Sequence, residues 1–194
     1  MHFPTALISL LLPASTLAAA LIQSRASSPL KITKLVPTGT GCPPNTYNAM
    51  IKEDGVPPNA VIGYDAFRAP DVGAGQDCTI QVQFEYTVPA SGTGDFHFEV
   101  YTAGFLQIDE GSGLVGTIAQ TLTGGGKSAS SRRSYTTPSE TGNFGTELQF
   151  TLSGTPGSTA QGSADVKVEV SVTGGSGTVV TGYMIVDDTA FRFP

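Results

Sequence analysis

The sequence predicts an all-β protein folded as a single antiparallel β-sandwich. Many short runs alternate apolar with polar residues, and clusters of glycine, proline and serine separate these runs. Residues 31–194 also contain no long apolar stripe with helical spacing. About nine or ten short strands at near-regular spacing are typical of a sandwich with jelly-roll or immunoglobulin-like topology. The pattern does not distinguish these two topologies.

The chain opens with an apolar segment. Residues 1–20 end in Ala18-Ala19-Ala20, which fits the small-residue cleavage pattern of a secretory signal peptide. This segment is too short, and too interrupted by Pro13, to span a bilayer. We therefore interpret residues 1–20 as a signal peptide, residues 21–30 as a flexible lead-in and residues 31–194 as one domain. The expected protein is exported and has no membrane span.

Four runs show the strand alternation most clearly, at residues 79–88, 95–104, 146–154 and 164–172. In each run one alternating set is apolar and the other is polar, as in antiparallel sheets with one face in the core. Further strands are predicted at residues 30–36, 60–67, 114–122, 133–137 and 179–186. The stretches PASGTG, TGGGKSAS and TPGSTAQG are predicted as loops because of their glycine, proline and serine content.

Composition narrows the range of partners. The formal net charge is −6 and only 13% of the residues are charged, with no extended basic patch. Such a chain is poorly suited to nucleic acid, which is bound through clustered lysine and arginine. No motif calls for a cofactor: GGGKS departs from a phosphate-binding loop at Thr121, where that motif requires glycine.

The chain has two cysteines, Cys42 and Cys78. In an exported protein an even pair most simply forms one disulfide. A catalytic thiol would need a nearby histidine, and a metal site would need more ligands than two cysteines provide. We therefore predict a structural bridge between Cys42 and Cys78.

The run DFHFEVY at residues 95–101 raises the question of a metal site. Asp95, His97 and Glu99 alternate with apolar residues, so a strand would direct them to the same face. They are the candidate metal ligands of the chain, although carboxylates and histidine also occur on ordinary solvated strand faces. Because metal sites usually recruit ligands from several elements, we interpret the row as a solvated face and predict no bound metal. His97 is the only histidine after residue 20, so histidine-dependent catalysis would have to use it.

The order of motifs resembles that of a known family. GTGCPP (39–44) is followed by AVIGYDAFRA (60–69), DCTIQVQFEYTVPA (77–90) and FHFEVYTAGFLQIDEG (96–111). Over about residues 32–122 this is similar to the secreted fungal family called domain of unknown function 4360. The resemblance implies a small exported β-rich fungal protein in which Cys42 and Cys78 correspond to the first cysteine pair of the family. Members typically carry a second pair near the C-terminus, which this chain lacks.

These observations predict a non-catalytic secreted fungal protein that binds an extracellular host protein or a cell-wall polysaccharide. Its expected place is the host apoplast or the fungal cell surface, and its expected role is that of an effector, for example an inhibitor of a host protease. One alternative is a secreted polysaccharide-active or ester-hydrolysing enzyme that uses carboxylates and His97. Another is a structural component of the cell wall or spore coat. The sequence predicts neither the partner's identity nor the oligomeric state.

Overall fold

The computed structural model describes residues 30–52, 58–69, 73, 75–88, 90, 95–108, 112–136, 142–174 and 182–192. The predicted signal peptide, and all of the lead-in except Leu30, lie outside the described residues. Over the described ranges, no helix is long and apolar enough to cross a membrane.

Eleven strands form in the described part of the chain. Their bounds are β1 Leu30–Thr38, β2 Tyr47–Ile51, β3 Ala60–Tyr64, β4 Arg68–Ala69, β5 Gln76–Thr87, β6 Asp95–Ile108, β7 Leu114–Gly124, β8 Lys127–Tyr135, β9 Gly142–Ser153, β10 Thr159–Gly174 and β11 Gly182–Arg192. Every strand that the sequence predicts overlaps one of these elements. The short edge strand β2 was not predicted, because five residues without clear alternation carry little periodic signal.

The strands form two antiparallel sheets, which confirms the predicted sandwich. One sheet has the order β1-β5-β10-β7-β8, and the other has the order β2-β3-β11-β6-β9 with β4 paired to β11. From β5 onward the chain changes sheet at every connection except the β7–β8 hairpin. This alternation is the jelly-roll arrangement, one of the two topologies that the sequence left open.

The core lies between the sheets and follows the period-2 alternation. On β10, Val166, Val168 and Val170 are at most 1% exposed, while the residues between them face water or the sheet surface. On the facing sheet the ring of Phe98 lies 6.3 Å from that of Phe84 across the core and 5.9 Å from that of Phe191. Burying side chains of this size stabilises the fold by about 1.5–3 kcal/mol each.

Two predicted loops are partly strand. In TGGGKSAS only Gly125 and Gly126 form the turn, with φ of 55° and 76°, and β8 begins at Lys127. Two residues with positive φ make the tight hairpin turn that suits the twist of antiparallel strands. In TPGSTAQG, β10 begins at Thr159 because this segment pairs with the end of β5. Sheet pairing overrides the low strand propensity of serine, alanine and glycine in both places.

The predicted disulfide is present: Cys42 and Cys78 are bonded, 36 residues apart in sequence. It joins the segment after β1 to β5, where both cysteines are buried. A backbone hydrogen bond also links the two segments, because the Gly41 N–H donates to the Asp77 carbonyl oxygen at 2.8 Å. The Phe67 ring packs against the bare backbone of Gly41, where an added Cβ would lie 2.2 Å from that ring. The disulfide segment therefore contacts both sheets.

Candidate functional site

The outer face of the six-stranded sheet carries three half-buried aromatic side chains, Tyr101 and Phe105 on β6 and Tyr183 on β11. They point outward because the residues that alternate with them, such as Val100 and Leu106, are buried in the core. The rings of Phe105 and Tyr183 lie 6.2 Å apart. We call the surface formed by Tyr101, Phe105 and Tyr183 the aromatic face.

Two arginine side chains pack over the rings of this face. The Arg68 guanidinium carbon lies 4.5 Å from the centre of the Tyr183 ring, and that of Arg192 lies 5.5 Å from the centre of the Tyr101 ring. Guanidinium groups at these distances are attracted to the ring electrons by about 0.5–1 kcal/mol at exposed sites. The arginines therefore restrict the ring orientations and place positive charge beside an apolar surface.

A glycine allows Tyr101 to lie across the neighbouring strand. A Cβ atom added to Gly145 of β9 would lie 2.3 Å from the Tyr101 hydroxyl oxygen. Any larger residue at position 145 would lift the ring away from the sheet. Arg133 also reaches this point, since its Nη1 donates to the Gly145 carbonyl oxygen at 3.4 Å. Gly145 therefore keeps the aromatic face flat.

A strip of polar side chains continues from the aromatic face towards the sheet edge. The Gln149 Nε2 atom donates to carboxylate oxygens of both Glu99 and Glu147, each at 3.2 Å. Next to them, Nδ1 of His97 and Oγ1 of Thr151 lie 3.2 Å apart. Carboxylates, a carboxamide and a hydroxyl in one row can accept hydrogen bonds from a polyhydroxylated ligand and donate hydrogen bonds to it.

The row of candidate metal ligands is only partly described. His97 and Glu99 lie on the outer face, as the alternation predicts, while Asp95 begins β6 and its side chain lies outside the described residues. Among the described side chains no group of three or more His, Cys, Asp or Glu residues is arranged to hold a metal ion. The described partners of His97 and Glu99 are the polar residues Thr151 and Gln149 of β9.

The carboxyl group of Asp188, on the outer face of the six-stranded sheet, has a shifted pKa. It follows the bulge of β11, where the register with β6 shifts between Val186 and Asp188. Burial raises the pKa of Asp188 above its usual range, the charge of Asp187 adds to the rise, and Arg192 opposes it. A partly buried carboxylate near Arg192 adds to the polar character around Tyr101, the ring that this arginine contacts.

A groove opens at one end of the sandwich and has a volume of about 970 Å³. We call it the end groove. One wall is residues 150–153 of β9, and the other is residues 161–163 of β10, with the tip of the β7–β8 hairpin at its end. Phe84 and Phe150 supply aromatic surface to the groove, and Gln161 and Glu85 are polar residues at its rim, joined by a 3.0 Å hydrogen bond.

Sequence reasoning identified neither surface. Of the outward-facing residues of β6, only Asp95, His97 and Glu99 were considered for chemistry. The available signal was a pair of aromatic residues, Tyr101 and Phe105, at outward positions of one strand. On the other strands, glutamine, serine and threonine predominate at outward positions. Their approach to Tyr183 depends on the β6–β11 pairing, which alternation alone does not specify.

The family model described as "Domain of unknown function (DUF4360)" matches residues 28–193. The chain belongs to this family. The match extends beyond the resemblance drawn over about residues 32–122 and includes strands β8 to β11. Family membership therefore covers the C-terminal half even though the second cysteine pair is missing. A search of curated proteins found no match.

Among solved structures, this family member is similar to TmCBM61, a structure determined in complex with β-1,4-galactotriose. The two share 13% identity and a TM-score of 0.27, with 84% of this chain and 91% of that chain covered. The enzymatically active domain of bacteriophage CBA120 tailspike protein 4 shares 16% identity and a TM-score of 0.27 with this chain. The alignment covers 89% of this chain and 20% of that chain. Similarity at this level does not inform the function of the present chain.

Proposed function

We propose that this chain is an exported, non-catalytic protein that binds a cell-wall polysaccharide across the aromatic face. The observation that supports the proposal is the set of three half-buried rings, Tyr101, Phe105 and Tyr183, on a flat outer sheet surface beside a polar strip. This combination suits a ligand that presents both apolar and hydrogen-bonding groups.

Sugar rings have that dual character. Their C–H faces are apolar and pack on aromatic rings, while their hydroxyl groups exchange hydrogen bonds with carboxylates, amides and guanidinium groups. Tyr101 and Phe105 are four residues apart on β6, which corresponds to about 13 Å along a strand. A surface of this length contacts more than one sugar unit, so it favours a polymer over a monosaccharide.

The remaining parts of the proposal concern where the protein works. The signal-like residues 1–20 and a disulfide, which persists in oxidising compartments, support export. Within this proposal residues 31–194 are the functional domain, the source is a fungus, and the site of action is the apoplast or the fungal surface. A protein that covers a wall polysaccharide at the boundary with a host would act as an effector.

Sedimentation with insoluble polysaccharides tests the proposal. Residues 21–194 are incubated with chitin, cellulose, xylan and β-glucan, and bound protein is measured against concentration. We expect retention by at least one polymer, and Tyr183→Ala or Phe105→Ala should weaken it about tenfold, because losing one stacked ring costs roughly 1.4 kcal/mol. Thr121→Ala on the outer face of the other sheet is the matched control and should bind like the parent.

Two results would contradict the proposal. The first is that no polymer retains the parent protein, and the second is that both aromatic substitutions leave retention unchanged. Release of soluble sugars from a polymer, lost on substitution of His97, would favour the enzyme alternative instead.

A further inference from the structure

We propose that the end groove binds a peptide in an extended conformation, which adds as a strand alongside residues 159–163 of β10. This site is separate from the aromatic face, and the proposal does not depend on polysaccharide binding.

The start of β10 has a partner on only one side. Residues 159–163 pair with β5, whereas pairing with β7 begins only at Ala164 opposite Gly124. β7 stops there because Gly125 and Gly126 turn the chain into β8. Within the described residues, no strand pairs with the other side of residues 159–163. Alternate residues of an antiparallel strand direct their N–H and C=O groups to that side, so this stretch offers a row of backbone donors and acceptors.

This open stretch lacks the features that normally prevent strand addition. The outer edges of the same sheet have them: β1 has a register shift next to Lys34, and β8 carries the charged pair Arg132 and Arg133. Residues 159–163 read TAQGS and contain no charged residue and no proline. They also pair with β5 without a register shift. Unprotected edges of this kind readily accept an additional strand.

The groove provides space for the side chains of such a strand. Its inner surface is formed by Phe84 on one sheet and by Phe150 and Leu152 on the other. Gly162 contributes no side chain, and the Phe84 ring lies against its backbone, where a Cβ would be 2.5 Å from the ring. The volume of about 970 Å³ lies in the range of binding sites for small ligands.

These features specify the chemistry of the ligand. A strand in line with β7 would direct alternate side chains between the sheets, towards Phe84, Phe150 and Leu152, so those residues should be apolar. Its other side chains would lie on the outer surface beside Gln161 and Ser163, so they should be polar. Backbone groups repeat about every 7 Å along each edge of a strand, a spacing that an extended peptide matches and a polysaccharide does not. The expected ligand is a segment of about five residues with alternating apolar and polar side chains.

Binding of the peptide acetyl-KTVTVTK-amide to residues 21–194 tests this proposal. Two control peptides carry N-methyl groups on one or the other alternating set of residues, so each lacks the N–H donors of one edge. We expect one control to bind about 25-fold more weakly than the parent peptide, at roughly fivefold for each of two lost backbone hydrogen bonds. The other control should retain its affinity. Hydrogen exchange should show protection of residues 159–163 by the parent peptide.

Substitution of the groove wall provides an independent measurement. Leu152→Lys places a charge against the apolar side chains of the peptide and should weaken peptide binding at least tenfold. Thr121→Lys, with the same added charge on the distant outer surface, should leave it unchanged. Retention on polysaccharide should be the same for both variants, so a failure of this proposal is distinguishable from a failure of the aromatic face.

The proposal is wrong if neither or both N-methylated peptides lose affinity, if protection appears outside residues 159–163, or if Leu152→Lys binds the peptide like the parent. Displacement of the peptide by a soluble oligosaccharide would also overturn it, because the groove would then be a sugar site.

Discussion

Breaking the disulfide between Cys42 and Cys78 should destabilise the protein by about 4 kcal/mol. The bridge closes a loop with a sequence separation of 36 residues. In the chain-entropy model, a cross-link of this span restricts the unfolded chain enough to contribute about 4 kcal/mol at 25 °C. For a domain of this size each kcal/mol corresponds to roughly 2–4 °C, so Tm should fall by roughly 8–16 °C.

Two perturbations separate the bond from the packing of its sulfur atoms. Reduction of the parent protein breaks the bond and leaves both sulfurs in the core, where Cys42 is 1% exposed and Cys78 is 0% exposed. The double variant Cys42→Ala, Cys78→Ala removes the sulfurs as well and should be slightly less stable than the reduced parent. Cys78→Ser should be the least stable, because it also buries a hydroxyl group.

Urea unfolding followed by tyrosine fluorescence measures each free energy of unfolding. The reasoning would be refuted if the reduced parent lay within about 1 kcal/mol of the oxidised protein, since the entropy term would then be largely absent. Peptide mapping without reduction provides the chemical control, and it should recover one cross-linked species that contains both cysteines.

Four further predictions concern buried and partly buried polar groups. Gln120 donates to the Thr102 hydroxyl while its Oε1 atom has no hydrogen-bond partner in the described residues, so urea unfolding should show Gln120→Leu within about 1 kcal/mol of the parent or more stable. Thr102→Val should instead cost about 1–3 kcal/mol in the same assay, because it leaves the Gln120 amide and the Thr189 hydroxyl without their Thr102 partner. Burial raises the pKa of Tyr64, so the contribution of Tyr64 to stability should be constant below about pH 10, the usual tyrosine value, and should be lost as pH rises further. Tyr64→Phe should remove this loss when unfolding is compared at about pH 8 and about pH 11. Burial also raises the pKa of Asp188, so thermal unfolding should show Asp188→Asn more stable than the parent at pH 7, with the difference lost below about pH 4.

The sequence predicted the sandwich because alternation reports burial directly. In β10 the residues Val166, Val168 and Val170 are buried and the residues between them are not, so one local pattern identified both the strand and its core face. The disulfide was predictable for a different reason, since two cysteines allow only one internal pairing. Strand boundaries were less predictable, because segments such as Lys127 to Ser130 become strand through pairing with β7.

The candidate surfaces depend on long-range pairing that no local pattern encodes. Tyr183 meets Phe105 because β11 lies beside β6, and Tyr101 lies flat because Gly145 of β9 is next to it. The end groove exists because the first five residues of β10, 159–163, extend past the end of the neighbouring strand β7 at Gly124. These features combine elements far apart in the sequence, so they required the strand order and register.

The strand order also explains why the family extends over nearly the whole chain. The central strand of the five-stranded sheet is β10, and the central strand of the six-stranded sheet is β11, and both come from the C-terminal part. A fragment ending near residue 122, where the sequence resemblance ends, would retain β1 and β5 as one pair and β7 alone, without the strand that joins them. In the other sheet, β3 and β6 would lose the strand between them. Such a fragment would expose the apolar faces of Val82 and Phe98, so we expect it to aggregate where residues 21–194 stay monodisperse in size-exclusion chromatography. A folded, monodisperse fragment of residues 21–122 would show that the N-terminal strands form a stable unit of their own, contrary to the topology.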